Sequence, residues 1–207
     1  YPSINGEIRK SISMRSNEAA VIEASRPLPS DAPLTQPYWL REEGSPGMCR
    51  VDDSRLIGLP ENPPVFPGEF IFEVGGQTLV VSDEPVQRDG TRQGPEARRR
   101  LAVIPPVSLS FDSQVALFPP GASRTVEVEA TASRAGIAGD LQLDVPAGWK
   151  VEPVKRPFRL DKIGGRTRLK FNVTAPDQSA TARLAASVEV GGVRYGNERM
   201  EVHYSHF

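Results

Sequence analysis

Histidine and cysteine, the side chains found most often at catalytic and metal centres, are scarce in this sequence. The chain has two histidines, His203 and His206, and one cysteine, Cys49. A zinc or hydrolytic site usually gathers histidine, cysteine and acidic side chains from separate segments around one pocket. On a strand, residues three apart point to opposite faces, so the H-x-x-H spacing does not favour a shared metal. We therefore predict no catalytic residue, no metal site and no cofactor.

Cys49 and the charged runs have simple structural interpretations. A nucleophilic cysteine needs a histidine partner, and Cys49 is better explained as a small buried residue of a short strand. A glycosidase needs two carboxyl groups about 5–10 Å apart across a cleft, which adjacent residues do not provide. The basic run at residues 98–100 could bind an anion or an acidic neighbour, and we expect it to be a solvated strand end. Solvated turns are expected at the acidic pairs Glu42-Glu43, Asp52-Asp53 and Asp83-Glu84.

Aromatic residues are the remaining candidates for ligand binding, because exposed rings with a polar edge stack on sugars. Tyr38 and Trp39 follow a proline, and Trp149 lies in the run Pro146-Ala-Gly-Trp-Lys150. In a β-sandwich, a single tryptophan more often fills the core against the opposite sheet. Two interpretations stay open: core packing, or a glycan-stacking site formed by Tyr38, Trp39 or Trp149.

The composition is that of a globular β-protein. The 207 residues carry a formal net charge of −1, which does not favour nucleic acid as a partner. No apolar run approaches the roughly 20 residues that span a bilayer as a helix, so we predict no membrane span. Twenty prolines, about twice the average frequency, favour short strands and rigid connections over long helices.

Apolar and polar residues alternate along many short segments, which predicts antiparallel strands with one solvated face. Residues 69–74 and 77–82 flank Gly75-Gly76, a pattern typical of a hairpin with a tight glycine turn. The other segments of the first half lie near residues 7–14, 19–25, 38–41, 48–51, 56–58 and 101–104. Those of the second half lie near residues 107–111, 115–118, 124–130, 141–145, 167–173, 184–190 and 200–204.

These segments predict an all-β chain of two tandem β-sandwich domains of immunoglobulin-like or fibronectin-like type. The prolines in Ile104-Pro-Pro-Val107 interrupt the strand pattern, because proline and its preceding residue are restricted in conformation. We therefore predict an irregular, loop-rich sandwich over residues 1–104 and a second sandwich over residues 105–207. The chain begins at Tyr1 rather than methionine, and we expect it to be part of a longer protein.

Several motifs of the first half stand out. They are Gln36-Pro-Tyr-Trp-Leu40, the run over residues 51–64 that contains Leu56-Ile-Gly-Leu-Pro60, the hairpin at residues 70–74 and Arg100-Leu-Ala-Val-Ile-Pro-Pro-Val107. Together they resemble the region that follows the catalytic domain of large bacterial PIG-L (LmbE-type) deacetylases. The motifs of the second half are Phe118-Pro-Pro-Gly121, Val145-Pro-Ala-Gly-Trp-Lys-Val151 and Phe171-Asn-Val-Thr-Ala-Pro176. This half is similar to NEW3-type sandwiches, which are appended to glycoside-processing enzymes.

The resemblance implies a function for the parent protein rather than for this chain. The catalytic domain of that family carries zinc on an Ala-His-Pro-Asp-Asp motif and deacetylates N-acetylglucosamine-type sugars. Neither His203 nor His206 precedes Pro-Asp-Asp, so no catalytic residue carries over. The resemblance implies a non-catalytic accessory region, with an N-terminal catalytic domain of the same polypeptide as partner and a periplasmic or secreted location. A carbohydrate-binding module for polysaccharide or a cell-surface glycan is the alternative.

Overall fold

The computed structural model describes residues 10, 12, 15–23, 25, 27–29, 32–88 and 98–200. The chain divides into two compact units, Tyr1–Val103 and Ile104–Phe207. Within the described residues every regular element is a β-strand or a short 3-10 helix, so the predicted all-β class is confirmed.

Six strands lie in the N-terminal unit and eight in the C-terminal unit, among the residues described. The first six are β1 (Glu42–Ser45), β2 (Met48–Arg50), β3 (Gly68–Val74), β4 (Gln77–Asp83), β5 (Val86–Arg88) and β6 (Arg98–Arg100). The others are β7 (Val107–Phe111), β8 (Ser123–Ala132), β9 (Ile137–Asp144), β10 (Lys150–Glu152), β11 (Lys155–Leu160), β12 (Arg166–Thr174), β13 (Ala185–Val190) and β14 (Val193–Tyr195). Two 3-10 helices span Tyr38–Leu40 and Ser54–Leu56.

The C-terminal unit contains two four-stranded antiparallel sheets, with strand orders β10-β12-β8-β7 and β11-β9-β13-β14. Alternation along each strand sends one set of side chains inward and the next outward. In β12, Phe171 and Val173 are fully buried, whereas Lys170 and Asn172 are exposed. One apolar cluster joins residues of both sheets, so the two sheets form a sandwich around a common core.

Glycine turns connect two of the hairpins. Gly75 and Gly76, between β3 and β4, have φ values of 58° and 79°. Gly191 and Gly192, between β13 and β14, have φ values of 61° and 79°. Two consecutive positive φ values are what a type I′ turn requires, and glycine adopts them without steric cost. The hairpin predicted around Gly75-Gly76 is therefore confirmed.

The N-terminal unit has a different construction. Its described strands form three separate two-stranded sheets, β1-β2, β3-β4 and β5-β6. Only Tyr38, Leu56 and Val103 are buried apolar residues in the described part of this unit. The finer expectation of a sandwich over residues 1–104 stays a prediction.

Hydrogen bonds connect separate segments of this unit. Val103 and Thr35 exchange two hydrogen bonds of 2.8 Å, one through the Thr35 backbone N–H and one through its Oγ1. The Asn62 side chain donates to the Gln36 carbonyl at 2.7 Å and accepts from the Tyr38 N–H at 2.9 Å. These bonds stabilise loop backbone that strand ladders do not satisfy.

Some predicted strands are wrong in position or type. Residues 19–23 and 25 form no strand. Residues 38–40 and 54–56 form 3-10 helices where strands were predicted near 38–41 and 56–58. The strand predicted near residues 48–51 is confirmed as Met48–Arg50. Pro37 precedes the first helix, whose turn is closed by a bond from the Leu40 N–H to the Pro37 carbonyl. Residues 101–104 and 115–118 are also outside strands. In the second of these segments the Val115 carbonyl accepts a hydrogen bond from Ser113 Oγ at 2.7 Å instead of from a neighbouring strand. Of the segments predicted near residues 7–14 and 200–204, residues 10, 12 and 200 are described and lie outside strands; the others lie outside the described residues.

Truncation of Phe171 tests the common core of the sandwich. Phe171→Ala should lower the free energy of unfolding by about 3–5 kcal/mol, because it removes a fully buried ring and leaves a cavity. Urea denaturation followed by circular dichroism measures this change. The adjacent, exposed Asn172→Ala should change stability by less than about 0.5 kcal/mol. Equal losses from the two variants would show that Phe171 is not a core residue.

Candidate functional site

The structure brings Tyr38 and Trp39 together in one 3-10 turn. Their rings meet edge to face, with centroids 4.9 Å apart. Tyr38 is only 7% exposed, and its hydroxyl donates to the Leu59 carbonyl at 3.1 Å. Trp39 is half-buried. Tyr38 is therefore a packing residue of the N-terminal unit, and Trp39 alone of this pair presents part of its ring to solvent.

Trp149 lies in the C-terminal unit, at the edge of the common core. Its ring meets Phe118 edge to face, with centroids 5.1 Å apart and an interplanar angle of 84°. Phe118 is likewise half-buried against the core. This geometry matches the core-packing interpretation of Trp149, and glycan stacking on Trp39 or Trp149 stays a prediction.

Of the cysteine and the two histidines considered for nucleophilic or metal chemistry, the structure describes Cys49. Cys49 lies in β2 as expected, but its side chain is exposed. The prediction of a buried residue is wrong because the two-stranded sheet β1-β2 has exposed residues throughout both strands. His203 and His206 lie outside the described residues. Within the described ranges, no three histidine, cysteine or acidic residues are grouped so that they could hold a metal ion.

The carboxylate of Asp53 has a structural role. It caps the second 3-10 helix by accepting from the Arg55 N–H at 3.0 Å. The Arg55 guanidinium also donates to both carboxylate oxygens, at 2.8–3.2 Å. The hydrogen bonds from the Arg55 side chain and backbone lower the pKa of Asp53 from 3.8 to about 2. The neighbouring Asp52 forms an ion pair of 3.5 Å with Arg41.

The basic run before the domain boundary also forms ion pairs. Arg100, at the end of β6, donates through Nε to Glu84 at 2.7 Å and through a terminal nitrogen to Glu61. These two acceptors raise the pKa of Arg100, with the hydrogen bond to Glu84 as the largest cause. Arg99 and Arg100 are exposed at a strand, as expected, and Arg100 also binds acidic neighbours that link β6 to residues 61–62 and to Glu84 after β4.

The β3-β4 hairpin has an exposed apolar surface that the sequence pattern did not predict. Phe70 faces Val81 and Phe72 faces Leu79 across the ladder, and Val74 follows on the same side because side chains alternate. The apolar hairpin face consists of Phe70, Phe72, Val74, Leu79 and Val81. Each is between 38 and 65% exposed. The period-2 pattern was the signal for this face, but it predicted burial within a sandwich.

The two sides of this hairpin differ in character. The opposite side mixes Ile71 and Val80 with polar residues, which are Glu69, Glu73, Thr78 and Ser82. An amphipathic strand pair of this kind usually covers a hydrophobic layer, and an isolated two-stranded hairpin is marginally stable in water. The apolar hairpin face thus has the chemistry of an interaction surface.

Comparison with known proteins identifies no relative for this chain: neither a protein-family model nor a curated protein matches its sequence. Among the described residues, no helix is long and apolar enough to cross a membrane.

Replacement of Arg55 tests the electrostatics around Asp53. Arg55→Ala should raise the pKa of Asp53 from about 2 toward 3.8, because the guanidinium hydrogen bonds to the carboxylate are lost while the backbone bond remains. A carbon-detected NMR titration of the carboxyl group measures the change. Folding lowers the pKa of Asp53 from 3.8 to about 2. The stability that the Asp53–Arg55 pair contributes is therefore complete above about pH 4 and is lost as the pH falls toward 2.

The control for this titration is Arg41→Ala, which removes the weakest of the interactions that lower the pKa of Asp53. That variant should leave the pKa of Asp53 close to about 2. An unchanged pKa in Arg55→Ala, or an equal rise in both variants, would contradict the assignment of Arg55 as the main cause.

Proposed function

We propose that this chain is a non-catalytic accessory region of a larger bacterial PIG-L-type N-deacetylase. In this proposal the apolar hairpin face packs against the zinc-dependent catalytic domain, which precedes the chain in the same polypeptide. The parent protein removes acetyl groups from N-acetylglucosamine-type sugars and works in the periplasm or outside the cell. The exposure of five apolar residues on one face of the β3-β4 hairpin is the observation that carries the docking role.

Exposure of this apolar face to water is unfavourable in free energy. Burial of apolar surface contributes about 25 cal/mol per Å², so a phenylalanine that moves from water into an interface contributes about 1.5–3 kcal/mol. Phe70 is 54% exposed and Leu79 is also 54% exposed. A partner that covers the face therefore gains stabilisation that the hairpin does not obtain from the three buried apolar residues in the described part of its own unit.

The ion pairs of the N-terminal unit also support an accessory role. Asp53 and Glu84, members of two of the acidic pairs, bind Arg55 and Arg100. Carboxylates held in structural ion pairs are poor general bases, because the lowered pKa of a group such as Asp53 makes it a weak proton acceptor. The motif resemblance adds the identity of the partner: the zinc-bearing domain of a deacetylase.

The coding sequence before Tyr1 tests the identity of the partner. A strand followed by His-Pro-Asp-Asp, within one continuous reading frame, would support the proposal and place the zinc ligands in the preceding domain. A start codon directly before Tyr1, or an unrelated module, would remove the deacetylase from the proposal. The docking role of the apolar hairpin face is tested separately.

Substitutions on the two sides of the hairpin test the docking surface. In the longer polypeptide, Phe72→Ser/Leu79→Ser should speed hydrogen exchange of the β3 and β4 amides about tenfold or more, because the docked face loses buried apolar area. The matched control is Ile71→Ser/Val80→Ser, which removes two apolar residues from the opposite side. It should change exchange by less than about threefold. Equal acceleration in both variants would overturn the assignment of this face.

A further inference from the structure

The outer edge of β4 is a part of the β3-β4 hairpin that the docking role does not use. All seven residues of β4 pair with β3 in an uninterrupted register. In a hairpin with a two-residue turn, the residues that flank the turn exchange both backbone hydrogen bonds, and every second pair does the same. Here Val74 and Gln77 flank the turn. The backbone N–H and C=O groups of Thr78, Val80 and Ser82 therefore point away from β3.

These outward groups have no partner strand within the described part of the chain. The sheet that contains β4 has two strands, β3 and β4. No backbone hydrogen bond joins Thr78, Val80 or Ser82 to a described loop, and every residue of β4 is exposed. A row of unpaired backbone groups on an exposed strand is a template for pairing with another strand.

The sequence of β4 lacks the features that usually protect an edge strand. Such strands are often short, carry lysine or proline, or are covered by another segment. In the C-terminal unit, the edge strand β11 contains Lys155 and Pro157, and the edge strands β10 and β14 have three residues each. The edge of β7 is partly covered, since the Leu109 N–H donates to the Asn197 carbonyl at 3.0 Å. Residues 77–82 contain neither a charged residue nor a proline.

A second copy of β4 complements this edge along its length. Antiparallel pairing about a two-fold axis at Val80 places Val80 opposite its own copy and Thr78 opposite Ser82 of the second copy. Leu79 and Val81 oppose each other in the same way, so polar residues meet polar residues and apolar residues meet apolar ones. This register also sets the outward backbone groups of the two edges opposite each other, because residues 78 and 82 are equally distant from Val80.

The outer edge of β3 does not favour the same pairing. Its outward backbone groups belong to Glu69, Ile71 and Glu73 by the same alternation. Antiparallel self-pairing about Ile71 would set Glu69 opposite Glu73 of the second copy, and like charges directly opposite each other destabilise a sheet. Charge therefore favours pairing through β4 over pairing through β3, and the glutamates oppose further growth of the sheet at β3.

We propose that two copies of this chain pair through their β4 strands, antiparallel about Val80, to form a four-stranded sheet. The contact uses the same edge of both copies, so it closes as a dimer. Residues opposite each other point to the same side of a sheet, and the two apolar hairpin faces therefore become one continuous surface. This inference concerns the edge of the hairpin and goes beyond the docking function of its face.

Sedimentation velocity of the whole chain between about 5 and 500 µM tests the proposal, since a small interface gives a concentration-dependent dimer. The average mass should rise with concentration toward that of a dimer. Val80→Lys should raise the Kd of the dimer at least about fivefold, because it places two ammonium groups opposite each other at the axis. The matched control is Ile71→Lys, which introduces the same charge at the cross-strand neighbour of Val80. It should change the Kd by less than about twofold.

A cysteine at the axis tests the register independently of the Kd. Cys49 is exposed and free, so Cys49→Ser provides the background. In it, Val80→Cys should form a disulfide-linked dimer at least about tenfold faster than Ile71→Cys on mild oxidation. The reason is that hydrogen-bonded cross-strand partners have Cα atoms about 5.5 Å apart, a separation that a disulfide spans.

Other outcomes overturn the proposal. A monomer at every concentration, or equal weakening by Val80→Lys and Ile71→Lys, would exclude the β4 edge as the contact, as would equal cross-linking from the two cysteine positions. Assemblies larger than a dimer that Ile71→Lys dissolves would show pairing of β3 with β4 instead. The docking test is carried out on the longer polypeptide below the Kd of the dimer, so failure of the docking role is distinguishable.

Discussion

The common apolar core of the C-terminal sandwich is the constraint on which the rest of that unit depends. Phe171, Val128 and Leu141 come from both sheets and are fully buried in one cluster. Because a strand has a period of two, burial of these residues determines which side chains of every strand point outward. A register shift of one residue would turn Phe171 toward water and carry Lys170 into the core. The outer surfaces, with their charges, are thus a consequence of the core.

In the N-terminal unit the described residues form only a small buried core. Its described segments are joined by hydrogen bonds of Thr35 and Asn62 and by the ion pairs of Arg100. Individual bonds of this kind contribute about 0.5–1.5 kcal/mol each, and they do not cover apolar surface. The amphipathic β3-β4 hairpin consequently keeps one apolar side in solvent. Both features underlie the docking role that we propose for the hairpin.

The outer faces of the two sheets differ in the charges of their cross-strand partners. On the first sheet, cross-strand partners carry opposite charges and pair, as in Lys170 with Glu127. On the second sheet, Glu189 lies between Asp140 and Arg194, its two cross-strand partners, and the Arg194 side chain pairs with Asp144. Surface ion pairs contribute little stability, so a sheet tolerates the loss of one.

The sequence by itself determined the features that depend on local patterns. Alternation identified the all-β class and most strands of the second half, and Gly75-Gly76 specified its turn because only glycine readily takes two positive φ values. Tertiary structure decided the rest. The burial of Tyr38, the exposure of Cys49 and the pairing of Arg100 with Glu61 depend on segments distant in sequence. The juxtaposition of Asp140 and Glu189 likewise depends on strand register, which is set by the packing of the whole core rather than by the residues that it brings together.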